Sequence, residues 1–122
     1  IERVIRNLVV NAIEHADGTP VTITLAATET DVACRVRDRG VGMTQEVADH
    51  VFDRFYRADT ARARTTGGTG LGLAIATEDV AIHGGRLQAY GEPGRGASFL
   101  MTLPKRAGEE IVSRPLALWE DE

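Results

Sequence analysis

The chain has 122 residues, of which 43% are hydrophobic and 26% are charged, and its formal net charge is −4. These proportions are typical of one globular domain and exclude a disordered or fibrous chain. A net negative charge argues against nucleic acid as a partner, because a general nucleic-acid surface needs a clustered basic face. No run of about 18 apolar residues and no signal peptide is present, so we expect this stretch not to be inserted in a membrane.

The first stretch, residues 1–16, predicts an amphipathic helix. Its apolar residues recur with the helical period and predict a stripe that faces the core. They are Ile1, Val4, Ile5, Leu8 and Ala12. Polar residues spaced three and four apart line the edge of the same helix, and they are Asn7, Asn11, Glu14 and His15. Oxygen ligands of this kind suit Mg²⁺, and a hydrogen-bonded polar border of the core is the plainer alternative.

The next stretch predicts a β-hairpin followed by a polar turn. Apolar residues alternate with polar ones over positions 21–25 and 32–36. This predicts two antiparallel strands that are half-buried, each with its apolar side chains on one face. Asp38 follows the second strand and precedes Gly40 and Gly42. Its carboxylate can accept a hydrogen bond from an amine while the glycines leave room for a flat ring. An ordinary Asp-x-Gly turn is the alternative.

A short helix and a polar loop follow. Thr44 is a suitable N-cap, and apolar spacing predicts a helix that ends in the aromatic cluster at residues 52–57. Residues 57–66 show no periodicity, so we expect a surface loop that closes over a ligand, here called the lid.

The lid leads into a glycine cluster at residues 67–72, GGTGLG, which continues into a predicted helix. Glycine lets backbone amides approach a phosphate, and the helix N-terminus adds a positive dipole end. The cluster is therefore a candidate polyphosphate site, with a hinge or a closely packed helix start as the alternative. A P-loop is excluded because Lys105 is the only lysine, and a dinucleotide fingerprint is excluded because no strand precedes the glycines.

The C-terminal part predicts a second hairpin and a tail. Alternation over residues 87–90 and 97–103 predicts two further strands. The pattern fails after Pro104, and the acidic residues that follow indicate a tail rather than core. We therefore predict a domain over residues 1–106 and an acidic C-terminal tail over residues 107–122.

Taken together, these motifs resemble the catalytic ATP-binding domain of bacterial sensor histidine kinases, within the wider family of gyrase, Hsp90 and MutL ATPases. The resemblance covers about residues 1–104, and the Arg-rich, Lys-poor composition is similar to that of actinobacterial sensors. It rests on an N box at residues 7–12 (NLVVNA), a first G box at 38–42 (DRGVG), an F box at 52–55 (FDRF), a second G box at 68–73 (GTGLGL) and a last-strand signature at 94–99 (GRGASF).

The resemblance implies a two-layer α/β sandwich of the Bergerat type, with a mixed sheet and three helices on one face. The implied reaction transfers the γ-phosphoryl group of ATP, with Mg²⁺, to a histidine on a separate dimerisation domain. A response regulator would be the partner of the full-length kinase in two-component signalling. The domain would lie in the cytoplasm and belong to an inner (plasma) membrane sensor. No histidine of this chain stands in a suitable context to be the acceptor.

The resemblance also implies roles for individual residues. Asn7 and Asn11 would act in catalysis, with Asn11 as the Mg²⁺ ligand. Asp38 would accept a hydrogen bond from the adenine amino group, and Gly40 and Gly42 would border the base.

The triphosphate would lie under the lid, which the resemblance extends to residues 57–69. Its oxygens would be held by His15 and by the second G box, namely Gly68, Thr69, Gly70, Leu71 and Gly72. The chain departs from the family at Glu14, where a basic residue is usual, which leaves any phosphate contact from Glu14 in question.

Three other functions are weighed. An anti-sigma-type serine kinase of the same superfamily is disfavoured by the F box. A nucleotide-binding module without catalysis is expected to lose Asn11, Asp38 or the lid glycines, and all are present. A hydrolysing ATPase carries a glutamate base where this chain has Asn7.

Overall fold

The computed structural model describes residues 2–16, 18–53 and 72–119. Over these residues the chain forms three helices and four strands. In chain order they are α1 (Glu2–His15), β1 (Thr22–Ala27), β2 (Asp31–Arg37), α2 (Gln45–His50), α3 (Gly72–Ile82), β3 (Arg86–Glu92) and β4 (Gly96–Pro104).

The four described strands form one antiparallel sheet in the order β1-β2-β4-β3. Hairpins join β1 to β2 and β3 to β4, and β2 pairs with β4 in the centre, where Val36 lies opposite Phe99. The α/β sandwich expected from the sequence is confirmed. The expected mixed sheet is not found among the described strands, because both hairpins reverse the chain and β4 returns along β2 in the opposite direction.

The hydrophobic core lies between the helices and one face of the sheet. α1 contributes Val4, Leu8 and Ala12 to it, as its periodicity predicts, whereas Ile1 lies outside the described residues. The other buried members of this core are Cys34, Val36, Met43, Ala48, Ala76, Val80, Ala97, Phe99 and Met101. Burial of this apolar surface on both layers holds the helices against the sheet.

β1 is an edge strand whose apolar side chains stay exposed. The sequence predicts a half-buried strand whose apolar side chains face the core, but Ile23 and Leu25 are 50% and 70% exposed. The described helices pack over β2 and β3 and leave β1 at the margin of the sheet. Alternation therefore predicted the strand correctly, but the burial of its apolar face depends on where the strand lies in the sheet.

The opposite face of the sheet, which points away from the helices, is also buried. Antiparallel sheets often leave such a face in water. Here the side chains at alternate positions of β2 and β4 that point to this side are all buried, namely Asp31, Ala33, Arg35, Arg37, Ser98, Leu100 and Thr102.

Residues 111–119 lie across this outer face, and we call them the C-terminal strap. Asp31 holds its beginning, because Oδ2 accepts hydrogen bonds from the Val112 amide at 3.1 Å, the Ser113 amide at 2.7 Å and the Ser113 hydroxyl at 2.6 Å. Thr30 donates a further hydrogen bond to the same oxygen at 2.7 Å. These bonds fix the strap to the start of β2.

Two more side chains of the sheet hold the second half of the strap. The Arg35 guanidinium donates to the Ala117 carbonyl at 2.8 Å, and the Ser98 hydroxyl donates to the Leu118 carbonyl at 2.6 Å. The sequence predicts a tail rather than core for this segment, and in the structure it packs on the sheet without forming helix or strand. The predicted domain boundary at residue 106 stays a prediction.

We predict that Asp31 makes the strap sensitive to acid. Hydrogen bonds in the folded chain, first that from the Ser113 hydroxyl, lower the pKa of Asp31 below its ordinary 3.8. Above pH 3.8 the ionised carboxylate therefore stabilises the fold. This stabilisation is lost as the pH falls below 3.8 and then through the lower pKa of the folded state.

Asp31→Asn should accordingly lower the free energy of unfolding at neutral pH, and its difference from the parent should shrink below pH 3.8. Urea unfolding across this range measures the difference, with the exposed Glu110→Gln as a control that leaves the parent's acid profile unchanged. A difference that stays constant with pH would contradict the assignment.

Candidate functional site

Asp38 stands directly after β2 and is 1% exposed. Its amide donates to the Ala97 carbonyl at 2.9 Å, and its Oδ1 accepts hydrogen bonds from the amides of Gly40 at 3.0 Å and Ala97 at 3.3 Å. The bond from Gly40 closes the ordinary turn that the sequence allows. The carboxylate is therefore oriented by two backbone donors from separate parts of the chain.

The second oxygen of Asp38, Oδ2, is buried and has no hydrogen-bond partner among the described residues. Leaving a buried acceptor unpaired is costly, so such atoms in folded proteins call for an explanation. Asp31 Oδ1 shares this property, and in both residues the other oxygen accepts hydrogen bonds. Asp38 differs from Asp31 in that it stands in the predicted first G box, so a donor on the predicted ligand would satisfy its Oδ2.

The loop after Asp38 passes between the end of α1 and the end of β3. A side chain built on Gly40 would overlap the His15 carbonyl oxygen, and one built on Gly42 would overlap the Glu92 carbonyl oxygen. Gly42 also has a φ of 77°, which other residues rarely adopt. The close approach of the chain to itself thus requires both glycines, and their role beside a flat base stays a prediction.

The contact of Gly40 with His15 brings the polar edge of α1 to the same place. Asn7, Asn11 and His15 are each half-buried along this edge, as their spacing predicts. Successive members are four residues apart, about one helical turn, so they lie one above another on one side of the helix. The structure thus joins the end of α1, the helix that carries the predicted N box, to the first G box.

Part of the predicted site lies outside the described residues. This applies to the lid at residues 57–69 and to the predicted phosphate ligands Gly68, Thr69, Gly70 and Leu71. Gly72 begins α3, which agrees with the predicted start of a helix near residue 71. The phosphate contacts of the glycine cluster stay predictions.

Sequence reasoning missed three groups that contact Asp38, namely the Ala97 amide, Gly96 and Arg37. The Ala97 amide binds Asp38 Oδ1, and a side chain built on Gly96, whose φ is 98°, would overlap the Asp38 carbonyl oxygen. The signature at residues 94–99 marked this strand but assigned it no role. Arg37 was also missed, and the only signal was a charged residue at an outward position of a predicted strand.

The described residues contain no group of three or more His, Cys, Asp or Glu side chains that could hold a metal ion. The helices among them are too short or too polar to cross a bilayer. Asn11, the predicted Mg²⁺ ligand, lies among the described residues on α1, and its role toward a metal ion stays a prediction.

The chain is similar to several known proteins. The family described as histidine kinase-, DNA gyrase B-, and HSP90-like ATPase matches residues 1–107. Sensor histidine kinase MtrB of Mycobacterium tuberculosis (strain ATCC 25618 / H37Rv) is 52% identical over 118 residues, which are 97% of this chain and 21% of MtrB. An alignment of that length includes residues 111–118, beyond the family match.

Two solved structures have the same fold. The mycobacterial sensor histidine kinase MprB superposes with a TM-score of 0.72 at 28% identity, over 86% of this chain and 70% of that one. Full-length ShkA in complex with AMPPNP superposes with a TM-score of 0.71 at 28% identity, over 87% of this chain and 22% of that one.

Proposed function

Because the chain belongs to the family of histidine kinase-, DNA gyrase B- and HSP90-like ATPases, we propose that it is the ATP-binding catalytic domain of a sensor histidine kinase. The chain spans 21% of MtrB, so the acceptor histidine and the sensing part belong to the remainder of such a kinase. The Oδ2 of Asp38, which is buried and has no partner among the described residues, is the observation that carries the proposal.

Asp38 selects adenine. Its Oδ2 is an acceptor without a donor in the part of the chain that the structure describes, and the adenine amino group supplies one N–H in the plane of the ring. Guanine presents a carbonyl oxygen at that position, so two acceptors would face each other. A site that leaves its own buried group unpaired with the wrong base discriminates strongly against that base.

The polar edge of α1 binds the phosphates and their metal ion. Mg²⁺ commonly takes one or two protein ligands and completes its shell with substrate phosphates and water, so Asn11 can serve as its protein ligand. Bound there, the ion would neutralise charge on the phosphates. Asn7 and His15 contact the phosphates from the same edge of α1, and the backbone amides of residues 68–72 hold the remaining phosphate oxygens.

The reaction is transfer to a histidine outside this chain. A nitrogen of that histidine attacks the γ-phosphorus, and the bond to the bridging oxygen breaks to release ADP. This chain contributes positioning rather than acid–base chemistry, since Asn7 cannot take a proton from water. The remaining partners are a dimerisation domain and a response regulator, with the domain on the cytoplasmic side of a plasma-membrane sensor.

We predict that Asp38→Asn removes the preference for ATP over GTP. The Gly40 and Ala97 amides hold the Asn oxygen at the Oδ1 position, so the side-chain NH₂ takes the Oδ2 position and donates. It then opposes the adenine amino group and suits the guanine carbonyl. The Kd for ATP, micromolar in the parent (about −8 kcal/mol), should rise roughly 10- to 100-fold.

Titration calorimetry with ATP and GTP measures this change. Asn11→Ala is the matched control on the phosphate side, where the Mg²⁺-dependent part of the affinity should fall while the ATP to GTP ratio is kept. A parent-like ratio in Asp38→Asn would show that this carboxylate does not read the base.

We also predict that the chain binds ATP without labelling itself. Incubated alone with γ-labelled ATP it should gain no acid-labile phosphate, because well-oriented reacting groups are worth about 7 to 11 kcal/mol of barrier and one group is missing. A dimerisation domain from Mycobacterium tuberculosis MtrB, supplied as a separate protein, should become labelled at its histidine. The His→Gln variant of that dimerisation domain should not. Acid-stable label on another protein or on the chain itself would favour the serine-kinase alternative.

A further inference from the structure

Arg37 precedes Asp38 and points to the outer face of the sheet, where it is only 6% exposed. Its Nε donates to the Asp38 carbonyl at 3.2 Å, and its Nη2 donates to the Arg95 carbonyl at 3.2 Å. Its Cζ lies 3.8 Å from the centre of the Trp119 ring, the last described residue of the C-terminal strap. One guanidinium thus contacts the end of β2, the β3–β4 turn and the strap.

The buried positive charge of Arg37 needs partners, and the face of the Trp119 ring is one of them. Burial lowers the pKa of the guanidinium, and the neighbouring charges of Arg39 and Arg95 lower it further. A desolvated cation near like charges needs acceptors and polarisable groups, and the face of an indole attracts it electrostatically. Tyr90 meets the Trp119 ring edge-on, with centroids 5.0 Å apart, and fixes the ring in place.

The two carbonyls that Arg37 binds belong to the two segments that meet at the Asp38 carboxylate. One is the carbonyl of Asp38 itself. The other belongs to Arg95, two residues before Ala97, whose amide binds Asp38 Oδ1. Gly96, between them, packs its backbone on the Asp38 carbonyl. Among the described contacts, Arg37 therefore links Trp119 of the strap to both segments that orient Asp38.

We propose that Trp119 and Arg37 are positioning residues, through which the C-terminal strap fixes the Asp38 carboxylate for base recognition. Trp119 holds the guanidinium, and the guanidinium holds together the two segments whose amides orient Asp38. Residues 111–119 lie beyond the match to the ATPase family, so this support is an addition to the family domain. Its effect on nucleotide rests on the proposed function, whereas its effect on Asp38 does not.

A purely structural strap would cover the outer face without acting on the site. The two roles predict different results for changes at the two ends of the strap. Trp119→Leu keeps an apolar cover but removes the ring face, and Trp119→Phe restores a ring. Ser113→Ala is the matched control, because it weakens the strap at Asp31, at the opposite end of β2.

The first measurement is amide hydrogen exchange by NMR without nucleotide. The amides of Gly40 and Ala97, both bound to Asp38, should exchange roughly tenfold faster in Trp119→Leu and near the parent rate in Trp119→Phe. In Ser113→Ala they should keep the parent rate even where the free energy of unfolding falls. Parent rates in Trp119→Leu, or equal acceleration in Ser113→Ala, would overturn the proposal.

The second measurement is the ratio of the Kd values for GTP and ATP. It should fall at least about threefold in Trp119→Leu and stay unchanged in Ser113→Ala, because only the former alters the orientation of the carboxylate. An unchanged ratio in Trp119→Leu would also overturn the proposal. If the parent binds neither nucleotide, the proposed function fails, and the exchange rates still decide whether the strap positions Asp38.

Discussion

The Asp38 carboxylate is the point at which the separate parts of this domain meet. Its Oδ1 accepts hydrogen bonds from the amides of Gly40 and Ala97, which are far from each other in the sequence. These two bonds hold the loop after β2 against the start of β4. The loop can reach this position only because Gly40 lies against the end of α1 and Gly42 against the end of β3. The same geometry leaves the other oxygen buried and unpartnered among the described residues, and the proposed function assigns it to a donor on the ligand.

The sheet is covered on both faces, and the two covers differ in kind. The helices cover one face through apolar contacts, with Val36 and Phe99 at the centre. The C-terminal strap covers the other face through hydrogen bonds and a cation–π contact, from Asp31 at one end to Trp119 at the other. β2 runs between these two layers and Asp38 directly follows it, so both layers border the candidate site.

Features set by neighbouring residues were predictable from the sequence. The family resemblance, the buried stripe of α1 and the N-cap at Thr44, whose hydroxyl accepts from the Val47 amide at 3.3 Å, are all confirmed. The contact of Ala97 with Asp38 spans 59 residues, and no local pattern encodes it. The strap lacks periodicity, so its packing on the outer face was invisible, and the exposure of Leu25 followed from the position of β1 at the edge of the sheet.

The central claim is that an adenine nucleotide binds at Asp38 and that its amino group donates a hydrogen bond to Oδ2. An NMR titration of the ¹⁵N-labelled chain with AMPPNP and Mg²⁺ tests it directly, because backbone amide shifts report the place of binding. The account predicts that the largest changes occur at Asp38, Gly40 and Ala97 and along the edge of α1 that carries Asn11. Absence of saturable changes, or changes confined to the face under the strap, would contradict it.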